Sequence, residues 1–149
     1  MNTTDDPVII TQEFAAPLET VWSAITEVAQ MRHWFLGSIP AFEPRVGFET
    51  EFIVEVQDRI FPHLWKIIEV VPNSKIVYRW RYGGYEGDSN VIFELHEGLG
   101  KTTLTLTHRA TAPFSTEIAL FTRESAENAW KYFIQKRLKA YMAKTYPKQ

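Results

Sequence analysis

The chain has 149 residues, of which 45% are apolar and 23% charged, with a net charge of −2 and a pI near 6.1. That length can bury a substantial core, and one domain spanning 1–149 is the expectation. The near-neutral balance lacks the positive field of nucleic-acid binders, and the absence of cysteine excludes disulfides, thiol nucleophiles and thiolate metal sites.

The opening "MNTTDDPVII" has neither a basic n-region nor an apolar h-region. No apolar run approaches the ~18 residues of a spanning helix, so a soluble cytoplasmic protein is expected. Val8 to Phe14, "VIITQEF", reads as the first strand, bounded by Pro7 and by "AAP". Pro17 suits the first turn of a helix, where its missing N–H goes unused. Val21, Trp22, Ile25 and Val28 recur at helical spacing and give that helix an apolar face against the sheet. Met31, Trp34 and Phe35 fall on a short second helix or turn, closed by Gly37 and Pro40.

From Phe48 the period switches to two. Phe48, Thr50, Phe52, Val54 and Val56 share one face, while Glu49, Glu51 and Glu55 share the other. A further strand, "HLWKIIEVV", is expected after Pro62, and "PNS" turns the chain into "KIVYRWRY". There Ile76, Tyr78, Trp80 and Tyr82 alternate with Val77, Arg79 and Arg81. The loop "GGYEGDS" leads to "NVIFELHE", with Val91, Phe93 and Leu95 on one face. "GLGK" then turns into "TTLTLTHRA", where Leu104, Leu106 and His108 oppose Thr103, Thr105 and Thr107. The last element is a long helix starting between Ser115 and Ser125 and ending near Ala143. Trp130, Ile134, Leu138 and Tyr141 form its apolar stripe, with Phe133 beside them. Glu117, Glu124 and Glu127 come early in it and Lys131, Lys136, Arg137, Lys139, Lys144 and Lys148 late, as the helix dipole favours.

The order is strand, two helices, five strands and one helix, an α+β chain. A meander of this length twists and curls, and an amphipathic helix across its concave face supplies the second layer. Such a helix meets a curved sheet well at its ends and less well at its middle. A cavity between the two is expected on geometry alone.

Several segments carry a family likeness. "FAAPLETVWSAITE" resembles the opening of START-like (SRPBCC) domains, where a strand runs into a first helix bearing Val-Trp. "MRHWF", then "VVPNSKIVYRW", "VIFEL" and "KTTLTLTHRA" in that order, and "AWKYFIQKRLKAYM" at the end resemble the family of heat-shock protein 90 ATPase activator homologues (AHSA type). The likeness covers nearly the whole chain. It implies the helix-grip fold: a curved antiparallel sheet of about six strands wrapped on a long C-terminal helix, two short helices after strand 1, and a hydrophobic cavity between. Two positions depart from the family pattern. Ala129 stands where a glycine precedes the tryptophan, and Arg137 falls within the apolar stripe. Because members include chaperone regulators and stress-associated proteins, the likeness leaves the activity open.

Little in the chain points to catalysis. No two of His33, His63, His96 and His108 are spaced to share a metal from one helix, no G-x-S-x-G elbow occurs, and "GGYEGDS" leads into a strand, unlike a phosphate cradle. It reads better as a loop at the cavity mouth. No catalytic residue, metal or cofactor is assigned. By strand parity His108 faces inward, either as a hydrogen-bonded polar residue near a strand end or as a contact for a ligand head group. Arg137 either carries its head to water or is a buried cation needing a partner.

Aromatic residues are the stronger candidates, at 14% of the chain. Phe52, Val54, Trp80, Tyr82, Phe93, Leu106, His108, Trp130 and Phe133 are expected to line the cavity, with Trp34 and Phe35 near its rim. Rigid rings with a few polar tips make a small-molecule site. The leading expectation is a non-enzymatic domain that binds an apolar or aromatic small molecule, as a monomer or weak homodimer with no membrane span. The family likeness offers two others: a module acting on a chaperone ATPase, and a cyclase- or hydrolase-like enzyme in which His108 is the one nameable acid or base.

Overall fold

Alternating patterns build a six-stranded antiparallel sheet in the computed structural model, which describes residues 1–146. The strands are β1 (Val8–Phe14), β2 (Glu49–Val56), β3 (Arg59–Val71), β4 (Lys75–Tyr82), β5 (Asp88–Gly98) and β6 (Lys101–Ala112), in the spatial order β1-β6-β5-β4-β3-β2. β2 to β6 form a meander of hairpins. β1 returns to pair with β6, so the chain must travel from one edge of the sheet to the other before β2 begins. Helices α1 (Leu18–Thr26) and α2 (Val28–Trp34) make that crossing, and α1 buries Val21, Ala24 and Ile25 while Trp22 packs at the margin of the core.

β3 starts earlier than its sequence suggests, with Pro62 inside it and paired with Ile53. The Pro62 carbonyl accepts from Gly83 N–H at 2.9 Å, on the side where β4 has already ended at Tyr82. A missing donor there disrupts no ladder. The register of β3 on β4 slips between Ile67 and Glu69, and that of β5 on β6 between Asp88 and Ser89. Such irregularities bend strands and increase their twist, which makes the sheet a bowl.

The second layer begins at Thr122, whose hydroxyl oxygen accepts from Ser125 N–H at 3.1 Å as an N-cap. Helix α3 (Arg123–Trp130) runs into a π-helical stretch, Lys131–Leu138, and then into α4 (Lys139–Thr145). Trp130, Ile134, Leu138 and Met142 are all buried, a strict step of four. A step of four overshoots one α-helical turn of 3.6 residues but falls short of one wider π turn. Combining the two keeps these side chains in one line along the sheet. Met142 therefore takes the place expected for Tyr141, whose hydroxyl donates to Gln30 Oε1 at 3.0 Å while its ring stacks on His33. Lys148 lies outside the described residues.

Two groups of buried side chains result. The larger fills the space beneath α1, α2 and the middle of the sheet. The smaller gathers Phe61, Ala110, Phe114 and Phe121 at the far end of β3 and β6. Tyr82 packs against both groups, and the gap between them is the cavity.

Candidate functional site

The cavity encloses about 210 Å³ between the concave face of the sheet and α3. On the sheet side its wall is Val54 and Val56 of β2, His63 of β3, Trp80 and Tyr82 of β4 and His108 of β6. The helical side presents Ser125, Ala126, Ala129, Trp130 and Phe133. Leu36, Phe114, Leu120, Phe121 and Met1 close the ends.

Six expected lining residues thus meet around one space: Val54, Trp80, Tyr82, His108, Trp130 and Phe133. The other five stand behind it. Trp34 is wholly buried, its indole N–H donating to the Ala24 carbonyl at 2.8 Å, so it locks α2 onto α1 instead of standing at a rim. Phe35 stacks on Trp34 at 4.8 Å and touches Trp65, Trp80, Trp130 and Phe133. It is a floor beneath the lining, and the next residue, Leu36, reaches the space. Phe52 sits behind His63 and edge-on to Trp65, Phe93 lies between Tyr78 and Trp130, and Leu106 is fully buried.

His108 is fully engaged by the protein. Its Nδ1 accepts from Trp130 Nε1–H at 2.9 Å, and an indole nitrogen can only donate. The imidazole hydrogen therefore sits on Nε2, which donates to Ser89 Oγ at 2.9 Å, and Ser89 Oγ in turn donates to the Trp80 carbonyl at 2.7 Å. This relay ties α3 to β4, β5 and β6. Burial lowers the His108 pKa to about 3, with the Met1 ammonium acting in the same direction.

His63 is arranged differently. Its Nδ1 donates to the Phe61 carbonyl at 2.9 Å, while Nε2 has no hydrogen-bond partner among the described residues. Burial lowers its pKa to about 4, against the opposing effect of that backbone bond. Burial also pushes the Tyr82 hydroxyl up to about 12. The Trp80 indole N–H works against that rise but lacks hydrogen-bond geometry, leaving its nitrogen unpartnered among the described residues.

Arg137 lies beside the buried line of the helix. Its guanidinium donates to the His33 carbonyl at 2.6 Å, at the C-terminal end of α2, and sits over the exposed Tyr132 ring. It is a surface bridge between helices. "GGYEGDS" stands behind the cavity wall: Tyr85 stacks on Phe61, and Gly87 (φ +112°) nests against Phe114. Among the described residues no cluster of histidines and carboxylates could hold a metal ion, and no helix is long and apolar enough to cross a membrane.

A curved antiparallel sheet closed by a C-terminal helix over an apolar cavity defines a START-like, helix-grip protein. Within that class the chain belongs to the family described as activator of Hsp90 ATPase homolog 1-like protein, whose model matches residues 15–143. Solved structures share the fold. MLL2253 from Mesorhizobium loti has a TM-score of 0.75 at 20% identity, over 94% of this chain and 98% of that one. DynU16, a protein of the dynemicin biosynthetic locus, has a TM-score of 0.74 at 24% identity over 95% of this chain but 48% of its own, so the chain spans about half of it. CalU16 from Micromonospora echinospora is 29% identical, with a TM-score of 0.58 over 84% of this chain and 70% of that one. No curated protein matches the chain.

Proposed function

We propose that the protein binds a small apolar or aromatic molecule in the cavity between β2–β6 and α3, without transforming it. The observation that carries this reading is a space of about 210 Å³ walled by rings and aliphatic side chains. An apolar cavity of about 150 Å³ already admits benzene, so a one- or two-ring aromatic or a short acyl chain suits this volume. Catalysis by His108 is disfavoured, because both ring nitrogens are bonded within the protein.

Trp80 and Trp130 on the lining make their fluorescence the natural readout. Titration with naphthalene-sized ligands and short fatty acids should quench it saturably at micromolar concentrations. A flat response across such a panel would overturn the reading. The family match is the observation that favours a second reading, a module acting on a chaperone ATPase. Unchanged chaperone ATPase turnover, together with no complex on size-exclusion chromatography, would remove it.

A further inference from the structure

The polar side chains on the cavity wall differ in what they still have to offer. Both nitrogens of His108 are committed to Trp130 and Ser89. The Tyr82 and Ser125 hydroxyls serve donors and acceptors alike, so neither discriminates between ligand types. Met1 is also on the lining, and its ammonium is bound to the Phe121 carbonyl. His63 stands apart. The Phe61 carbonyl can only accept, so Nδ1 carries the hydrogen and Nε2 presents a bare lone pair. Its ring is stacked on Phe52 at 5.2 Å, tilted against Trp80 at 5.5 Å and set at right angles to Tyr82 at 4.9 Å. The acceptor is thus rigidly held before any ligand arrives.

We propose that the occupant is a neutral one- or two-ring aromatic of the phenol type, held by donation of its O–H to His63 Nε2. This deepens the reading of the cavity as a binding site and depends on it. An acceptor on the cavity wall with no bond from the protein favours a ligand that donates over one that cannot. A carboxylate would set its oxygens against the imidazole lone pair, and only the Met1 ammonium and the Trp80 indole N–H on the wall could offset its charge. The burial that keeps His63 neutral preserves the acceptor at ordinary pH.

The test compares naphthol, naphthalene and naphthoate by isothermal titration on the wild-type chain and on His63→Phe. Naphthol should bind the wild type roughly five- to tenfold tighter than naphthalene, the worth of one net hydrogen bond, with naphthoate weakest. In His63→Phe the naphthol advantage should vanish while naphthalene binding persists. Independently of any variant, the ¹⁵N resonance of His63 Nε2 should move with naphthol and stay still with naphthalene. Equal wild-type affinities, an advantage that survives His63→Phe, an unmoved Nε2 resonance, or tightest binding of naphthoate would each overturn the assignment while leaving the cavity reading intact. Failure of all three compounds to bind the wild type would sink both.

Discussion

Two histidines inside the wall contribute to the acid response of the protein. In the unfolded chain each titrates near 6.5, whereas in the folded state His63 holds off protonation to about 4 and His108 to about 3. Below pH 6.5 the unfolded chain therefore binds protons that the folded chain refuses, so this stabilisation is complete above that pH and is lost as the pH falls. The slope should approach about 1.4 kcal/mol per pH unit for each histidine. Urea unfolding from neutral pH down to about pH 5 should show a falling midpoint, and His63→Phe should roughly halve the slope. His108 also has a structural worth. In His108→Leu the Trp130 indole and the Ser89 hydroxyl lose their partner while buried, at a cost of about 2–4 kcal/mol in unfolding free energy. A midpoint unchanged from wild type would mean that the relay is not formed.

Local backbone geometry shapes the cavity at the level of elements. Gly87 has φ +112°, and a Cβ there would stand 2.5 Å from the Phe114 ring and 2.9 Å from its Cα. Gly87→Ala should therefore push Phe114 off the end of the cavity and lower stability by about 1–3 kcal/mol, visible as a drop in Tm and a looser ligand response. A wild-type Tm in that variant would show that the loop has room to yield. On the opposite wall, Ala129 occupies the position where the family resemblance expects glycine, and its methyl group faces the space. The π-helical stretch keeps Trp130, Ile134 and Leu138 aligned on the sheet while Phe133 still reaches the cavity. The helix thereby both seals the core and lines the site.

For the molecule as a whole, an occupied cavity should report itself as stability. A ligand bound only by the folded state adds about 2.7 kcal/mol at a hundredfold excess over its Kd, so thermal unfolding should shift upward with naphthol. Ala129→Leu extends a larger side chain from α3 into the space. It should abolish that shift while the variant remains folded by circular dichroism. A full shift in Ala129→Leu would place the ligand elsewhere.

Much of the architecture follows from local pattern. Period-two alternation in "FETEFIVEV" and "KIVYRWRY" marks both a strand and its inward face, because successive side chains must point to opposite sides of a sheet. The same rule placed Trp80, Tyr82 and His108 inward. It also holds a signal for His63, which alternates with the buried Trp65 and Ile67; Pro62 obscured it by suggesting that the strand was only beginning there. Parity cannot say how far along a strand the core ends and a gap begins. Phe93 and Leu106 face the same side as His108, yet they lie under the helix where packing is complete. Trp34 and Phe35 show the same limit, since their depth depends on how α2 docks. Phe114, Leu120 and Phe121 carry no periodic signature at all and meet the wall only because the loop after β6 folds back toward Gly87. The chain by itself thus determined its strands, helices and inward faces, which arise from neighbours in sequence. Only the tertiary structure decided where the space lies, because its walls converge from distant parts of the chain.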